Sequence, residues 1–188
     1  MKRTFGWGAA LLLLTLAPAA LAKDAKDFLT DAMQGAQSEI KLGLLASQRA
    51  VTPGVRDYGQ TLVIDHRRSL QQAGPLASAR GIPLPDTPTK PALAELDKLS
   101  KLSGPAFDRE FVAYMVLDHT RDLDEFKRQA DSHDDPQVAA LARDTVPVLQ
   151  KHFDMARALE APPKYRRLEP GRAAWQRTPV IGPASALS

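Results

Sequence analysis

The chain has 188 residues, of which 44% are hydrophobic and 25% are charged, a composition typical of an ordinary folded domain. It contains no cysteine, which excludes a disulfide framework and a lipid-attachment cysteine. The net charge of +3 is uneven, because a basic start contributes +2, a basic end contributes +4, and the segment between them is left with −3. A mildly acidic folded part is not suited to nucleic acid, and we expect no such partner.

The first 22 residues predict a secretory signal peptide. Lys2 and Arg3 form a short positive start, residues 9–17 are an apolar run, and Ala20-Leu21-Ala22 is a small-x-small cleavage signal. The apolar run is too short for a stable transmembrane helix, and no later segment reaches the required length. We expect cleavage after about Ala22, and a mature protein that is periplasmic or secreted and does not span a membrane.

Apolar residues then recur at helical spacing in four long segments and one short segment. The first long segment has a seam made mostly of small residues, which permits a neighbouring helix to approach closely. One acidic residue interrupts this seam. The seam consists of Phe28, Ala32, Ala36, Glu39, Gly43, Ala46 and Ala50.

The second predicted helix begins at Thr52-Pro53, where threonine suits the N-cap and proline suits the first turn. It ends at Arg80-Gly81, which is followed by Pro83. Its apolar face includes His66. A proline-rich passage at 82–90 follows, and a short helix is predicted from Pro91 to Leu102. Its regularly spaced leucines give it a face to bury, and we expect it to lie across one end of the bundle as a cap.

The third long helix opens at Ser103-Gly104-Pro105, and the fourth opens at Asp135-Pro136. Each has an apolar stripe that is interrupted by one histidine, His119 in the third helix and His152 in the fourth. The Asp-His pair of the second helix recurs in the third as Asp118-His119. Three helices are thus predicted to present a histidine on their buried face.

These three histidines and Glu39 are predicted to lie in one layer. Each lies roughly 11 to 16 residues after the start of its helix, which places it about 16 to 24 Å along the axis. In an up-down-up-down bundle, residues at mid-height meet whichever way their helix runs. Neutral nitrogen donors with one anionic oxygen suit zinc, copper or non-haem iron, and suit calcium or magnesium poorly. We therefore predict a transition-metal site formed by Glu39, His66, His119 and His152.

Four further polar residues lie near these candidate ligands. Ser69 is one turn beyond His66 and Asp122 is one turn beyond His119, so each is a candidate partner that orients a ligand ring. Asp65 and Asp118 are additional candidates. They lie about 100° round the helix from the adjacent histidines, and we expect them to face another helix or solvent as partners of arginines.

The same residues permit a metal-free interpretation. One glutamate and three histidines can form a buried hydrogen-bonded network that fixes the register of the helices. A redox enzyme of the ferritin-like type is a third hypothesis. No catalytic motif is present, and the Glu-x-x-His pairs of di-iron carboxylate bundles are absent, which disfavours a dinuclear oxidase.

Several segments together resemble a bacterial family called "domain of unknown function 4142". They are 35–46, the Asp65-His66 pair, 99–104 with Phe107-Asp108, His119, and Pro147-Val148-Leu149 leading to His152 and Ala156. The resemblance covers about residues 25–160. It implies a ferritin-like four-helix bundle in the cell envelope, it matches Glu39, His66, His119 and His152 to polar positions that the family tends to keep, and it brings no established activity. Members are often labelled outer membrane proteins. In this chain Tyr58-Gly59 replaces the family's usual aromatic residue followed by alanine.

We therefore predict an all-α protein, an antiparallel ferritin-like four-helix bundle with a short extra helix between helices 2 and 3. The predicted domains are a signal peptide at 1–22, the bundle at 23–160 and a flexible Pro/Arg-rich tail at 161–188. The expected function is transition-metal binding in the envelope, for metal handling or stress protection. The alternative is a metal-free structural or interaction protein, with the basic tail as a point of attachment to an envelope partner.

Overall fold

The computed structural model describes residues 22–160, within which all regular structure is helical. Five helices follow one another, and the four long ones form a bundle, which confirms the predicted fold class. Residues 1–21 of the predicted signal peptide and the tail at 161–188 lie outside the described residues. None of the helices between residues 22 and 160 is long and apolar enough to cross a membrane. The helices are α1 (Ala25–Arg49), α2 (Pro53–Ala79), α3 (Lys90–Ser100), α4 (Gly104–Ala130) and α5 (Pro136–Glu160).

Local signals fix where the helices begin. The side chain of Asp24 accepts a hydrogen bond from the backbone N–H of Lys26 at the start of α1, and Asp135 accepts from two N–H groups in the first turn of α5. Such side-chain caps satisfy donors that have no partner within the helix. At the start of α2 this role is taken by Asp108 of α4, which accepts from the N–H groups of Val51 and Thr52 at 3.0 and 2.8 Å.

One half of the bundle is filled by a cluster that we call the first core. It combines the end of α1, the start of α2, the start of α4 and the end of α5. Because the end of α1 meets the start of α2, these two helices are antiparallel. The largest members of the first core are Leu42, Tyr58, Leu62, Leu99, Phe107, Phe111 and Met115.

The other half is filled by the second core, which combines the start of α1, the end of α2, the end of α4 and the start of α5. Helices α2 and α4 therefore run in the same direction, and the expected up-down-up-down order is wrong at the connection between them. The reason is the length of that connection, since a long crossover lets the chain return to its starting end. The second core includes Phe28, Leu29, Met33, Ala73, Ala77, Ala130, Val138 and Ala142.

Helix α3 belongs to this crossover. Ile82 lies in the second core and Leu99 in the first, so the connection runs along the bundle. At mid-height, the N–H of Thr89 donates to the hydroxyl of Ser38 at 2.9 Å, and further on Arg49 donates to a carbonyl at the end of α3 at 3.0 Å. Helix α3 thus packs beside α1 and α4. The expectation that it lies across one end of the bundle is wrong, because its apolar face is buried along the side of the bundle.

Helices α1 and α2 touch backbone to backbone at two glycines. A Cβ atom added at Gly59 would lie 2.7 Å from the carbonyl oxygen of Gly43, and one added at Gly43 would lie 2.6 Å from the carbonyl oxygen of Gly59. Only glycine permits so close an approach. Gly43 is one helical turn beyond Glu39, so this contact sets the distance between Glu39 and the neighbouring helix α2.

Substituting Gly59 by alanine should destabilise the protein. The added methyl group meets backbone atoms, which cannot move aside cheaply, and overpacking of this kind costs about 1 to 3 kcal/mol. Alanine's better helix propensity offsets up to about 1 kcal/mol of this cost. We expect Gly59→Ala to lower the free energy of unfolding in urea by about 1 to 2 kcal/mol.

The matched control is Gly35→Ala in α1, because a Cβ at Gly35 would meet no atom within 4 Å. This variant should be as stable as the wild type or more stable, by up to about 1 kcal/mol. A Gly59→Ala protein as stable as Gly35→Ala would contradict the backbone contact.

Candidate metal centre

Four side chains from four different helices meet between the first and second cores. They are Glu39 of α1, His66 of α2, His119 of α4 and His152 of α5, and one potential ligand atom of each lies within 4.8 Å of those of the others. Their exposed fractions are 1%, 6%, 0% and 0%, respectively. The structure therefore brings together the four residues that the sequence placed in one layer, even though the order of helix directions differs from the expected one.

The imidazole rings form a triangle with the carboxylate on one side. Ring centroids are 5.3 Å apart for His66 and His152, 5.3 Å for His119 and His152, and 6.4 Å for His66 and His119. The Oε2 atom of Glu39 lies 2.5 Å from Nε2 of His66 and 3.4 Å from Nε2 of His119. We call these four residues the Glu/His cluster.

One polar atom of each member is buried without a hydrogen-bond partner. These atoms are Oε2 of Glu39, Nε2 of His66, Nε2 of His119 and Nδ1 of His152. The contact between Glu39 and His66 is short, but its geometry is not that of a hydrogen bond. An unsatisfied buried polar atom costs about 1 to 3 kcal/mol, and native proteins rarely leave several together. A cation bound between the four atoms would satisfy all of them, so the donor set fits a metal ion.

Hydrogen bonds outside the cluster orient two of the rings. Nδ1 of His119 lies 3.0 Å from the carbonyl oxygen of Met115, which can only accept, so Nδ1 bears the hydrogen and Nε2 offers its lone pair to the cluster. Nε2 of His152 donates to the carboxylate of Asp65 at 2.9 Å, which leaves Nδ1 of His152 free to bind. A carboxylate or carbonyl behind a metal-binding imidazole is the usual arrangement in metal sites.

The residues predicted to orient the ligands have different contacts. The hydroxyl of Ser69 donates to the carbonyl oxygen of Asp65 at 3.1 Å, within its own helix. Asp65, which we expected to face another helix or solvent as a partner of arginines, does face another helix, but its partners there are Lys151 of α5 at 3.2 Å and His152 at 2.9 Å. Sequence reasoning missed its contact with a histidine of the cluster. Helical spacing gives the direction of a side chain from its own axis, but it does not say which neighbouring helix lies in that direction.

Asp118 and Asp122 of α4 lie beside Glu39. One carboxylate oxygen of each of these three residues lies within 4.8 Å of the others, and both aspartates are half-buried. Asp122 was predicted to orient a histidine, and the structure instead groups it with carboxylates. Burial, followed by the negative charge of Glu39, raises the pKa of Asp118 to about 7, and the same causes raise the pKa of Asp122 well above its usual range.

The pKa values of Glu39 and His66 are shifted by each other's charge. Burial alone would raise the pKa of Glu39, but the imidazoles of His119 and His66 outweigh it and hold this pKa at about 2. Burial would lower the pKa of His66, but the adjacent charge of Glu39 raises it. The carboxylate of Glu39 therefore stays ionised over the physiological pH range.

The other two imidazoles are held neutral. Burial lowers the pKa of His119 despite the charge of Glu39. Burial and the charge of His66 lower the pKa of His152 to about 4. A neutral imidazole is the form that binds a metal ion, so these two residues require no loss of a proton before binding at neutral pH.

The fold and the buried cluster together define a helical-bundle protein with a candidate metal centre. A family model described as "Domain of unknown function (DUF4142)" matches residues 13–159, and the chain belongs to this family. The family resemblance found in the sequence is thereby confirmed. Among curated proteins, no sequence matches the chain.

Two solved structures share the fold. A DUF305 fragment from Deinococcus radiodurans has a TM-score of 0.64 at 18% identity, over 75% of this chain and 98% of that one. CopM in the Cu(II)-bound form has a TM-score of 0.62 at 16% identity, over 74% of this chain and 97% of that one. At such low identities the likeness establishes the helical bundle alone.

The depressed pKa of His152 predicts that this residue lowers the stability of the fold in acid. An unfolded histidine binds a proton near pH 6.5, whereas folded His152, with its pKa of about 4, binds one only in stronger acid. Between these values the unfolded state binds more protons at this residue than the folded state does, so the contribution of His152 to the free energy of unfolding falls as the pH is lowered from about 6.5 to about 4. The lowered pKa of His119 acts in the same direction, whereas the raised pKa values of His66, Asp118 and Asp122 act in the opposite direction.

Urea unfolding in the presence of a chelator, repeated across this pH range, measures the effect. Compared with the wild type, His152→Asn should become more stable relative to its own value at neutral pH when the pH is lowered, whereas His133→Gln, a change in an exposed loop, should show the wild-type dependence on pH because His152 is retained. If His152→Asn and the wild type show the same dependence on pH, His152 is not a group that binds a proton over this range.

Proposed function

We propose that this protein binds one divalent transition-metal ion between Glu39, His66, His119 and His152. One observation supports this proposal above all others: four potential ligand atoms, buried in the centre of the bundle, lie within 4.8 Å of one another, and each residue has such an atom without a hydrogen-bond partner. Two of the imidazoles are already oriented from behind by hydrogen bonds. A site whose ligands are positioned before the ion arrives binds more tightly than one that must be assembled.

Copper is the metal to test first. Three imidazole nitrogens and one carboxylate oxygen suit zinc, copper and iron, and among divalent ions the affinity of such sites peaks at Cu(II). The structural neighbour CopM, solved in the Cu(II)-bound form, supports the same choice. We expect Cu(II) to displace Zn(II), and Zn(II) to bind more tightly than Mn(II).

The biological role that fits this site is metal handling in the cell envelope. With four protein ligands the coordination sphere is closed, which favours holding an ion over activating a water molecule. The predicted signal peptide supports export, and an exported metal-binding protein would serve storage or protection against metal stress.

One observation favours a second candidate function, that of a metal-free structural protein. Glu39 and His66 are paired at 2.5 Å and compensate each other's charge without an ion. In this case the polar layer would fix the register of the helices, as buried polar groups do in some bundles. The two candidate functions predict different effects of replacing one histidine of the cluster.

Replacing one buried histidine should abolish tight metal binding. After tag-free purification and loading with Cu(II) or Zn(II), we expect elemental analysis to give one ion per wild-type chain. His119→Ala should weaken binding by about 100-fold or more, because it removes a ligand and not only a residue that orients a ligand. The matched control is His133→Ala, which removes the one histidine of the four in the chain that lies outside the cluster. It should bind as the wild type does.

Metal should also stabilise the fold. At a free concentration about 100 times the Kd, the bound ion should raise the free energy of unfolding by about 2.7 kcal/mol, and a chelator should reverse this. If the wild type and His133→Ala take up no ion under any loading condition, and His119→Ala merely lowers stability, the metal-free candidate is correct.

Removing the carboxylate behind His152 should weaken binding without changing the stoichiometry. Asp65 accepts the hydrogen bond that orients His152, and loss of such a partner typically lowers metal affinity by about 10- to 100-fold. We expect this drop for Asp65→Ala in a competition titration against a chromophoric chelator. Asp57→Ala, an exposed aspartate on the same helix, should keep the wild-type Kd. Equal Kd values for the two variants would contradict the orienting role of Asp65.

A further inference from the structure

A cavity of about 360 Å³ lies inside the bundle next to the Glu/His cluster, and the ring of His66 forms part of its wall. All four long helices line it. Its solvent-exposed lining residues are Lys23, Asp31, Pro91 and Arg121, which belong to α1, the residues before it, the start of α3 and α4. The cavity therefore opens between α1 and α4, near the start of α3, and extends inward to His66 of the buried cluster.

Two carboxylates line this cavity beside the cluster. One oxygen of Asp118 and one of Asp122 lie within 4.8 Å of one of Glu39. Glu39 is thus a member of two groups, one with the three histidines and one with the two aspartates. A cation in the cavity can contact both aspartates, and Glu39 is common to this position and to the Glu/His cluster.

We propose that Asp118, Asp122 and Glu39 form a transfer site through which a divalent cation passes from the cavity to the imidazoles. The inference rests on the proposed metal-binding function. A second observation supports it: His66 is 6% exposed, its ring lines the same cavity, and its Nε2 has no hydrogen bond although it lies 2.5 Å from Oε2 of Glu39. The cavity therefore extends to a buried imidazole whose Nε2 makes no hydrogen bond and lies beside the carboxylate that the two groups share.

The two positions suit successive occupation. Both need the carboxylate of Glu39, so an ion at one competes with an ion at the other. Three carboxylates form a hard oxygen site, whereas imidazole nitrogens bind copper and zinc more strongly. The ion therefore moves from the weaker carboxylate site to the tighter imidazole site. Asp118, whose pKa is about 7, is partly ionised at neutral pH, and a negative charge inside a low-dielectric cleft concentrates cations and raises the rate of association.

The charges at the opening leave the inner carboxylates as the main attraction for a cation. Lys23 pairs with Asp31 at 2.6 Å and with Glu125 at 2.8 Å, and Arg121 adds a second positive charge at the opening, so two cations there balance these two carboxylates. Asp118 and Asp122 lie deeper in the wall, next to Glu39.

Metal-loading kinetics test this proposal. Cu(II) is mixed with the metal-free mature protein, and its absorption is followed by stopped flow, while release is followed after addition of a chelator. For Asp118→Asn with Asp122→Asn, we expect loading to slow by about tenfold or more. Release should slow in parallel, so that the Kd changes less than either rate, because removal of a route affects both directions equally. Asp124→Asn, an exposed aspartate two residues from Asp122, is the matched control and should load as the wild type does.

A second variant narrows the same route without removing a carboxylate. Ala32 lines the cavity and is half-buried, and Ala32→Leu should also slow both loading and release. If the double variant fails to fold, the loading and release rates of Ala32→Leu test the transfer site. Loading of folded variants at the wild-type rate would overturn the transfer site alone. A faster release with a raised Kd would also overturn it, because that result indicates a ligand-supporting role. If the wild type binds neither Cu(II) nor Zn(II), both this inference and the proposed function are wrong.

Discussion

The structure depends on how one buried carboxylate and three buried imidazoles are compensated. The Glu/His cluster lies between two apolar cores, and a buried charge is costly unless it is paired. In the metal-free protein Glu39 and His66 compensate each other, which leaves His119 and His152 neutral, each with one unpartnered nitrogen. A bound cation would satisfy all four residues at once. The same layer of the bundle therefore determines part of the protein's stability and carries its proposed function.

The Glu/His cluster lies where two pairs of helices meet, and each pair supplies two of its four residues. Helices α1 and α2 form one tightly packed antiparallel pair, and α4 and α5 form the other. Glu39 and His66 come from the first pair, whereas His119 and His152 come from the second. The hydrogen bond between Asp65 and His152 also joins the two pairs. An ion in the cluster would therefore link two halves of the bundle that otherwise share fewer contacts.

Sequence alone sufficed for the helices and for the depth of the layer. Caps such as Asp135-Pro136 mark helix starts, and counting residues from them placed Glu39, His66 and His119 at a common height, which holds whichever way a helix runs. The direction of α4 was not predictable in this way. Apolar spacing shows which face of a helix is buried, but it does not show at which end of the bundle a long connection returns the chain.

The neighbours of the layer were also beyond sequence reasoning. Asp65 contacts α5, and Asp118 and Asp122 gather around Glu39, because of how adjacent helices are rotated about their axes. That rotation depends on packing contacts such as the one between Gly43 and Gly59, which no periodic pattern indicates. The cavity beside His66 likewise results from the placement of whole helices and not from any local motif.

Anomalous X-ray diffraction from crystals of the Cu(II)-loaded protein tests the central claim most directly. We predict one strong copper peak inside the bundle, about 2.0 to 2.2 Å from Nε2 of His66, Nε2 of His119, Nδ1 of His152 and an oxygen of Glu39. A copper peak found only at surface residues, with the interior of the cluster empty of anomalous signal, would contradict it.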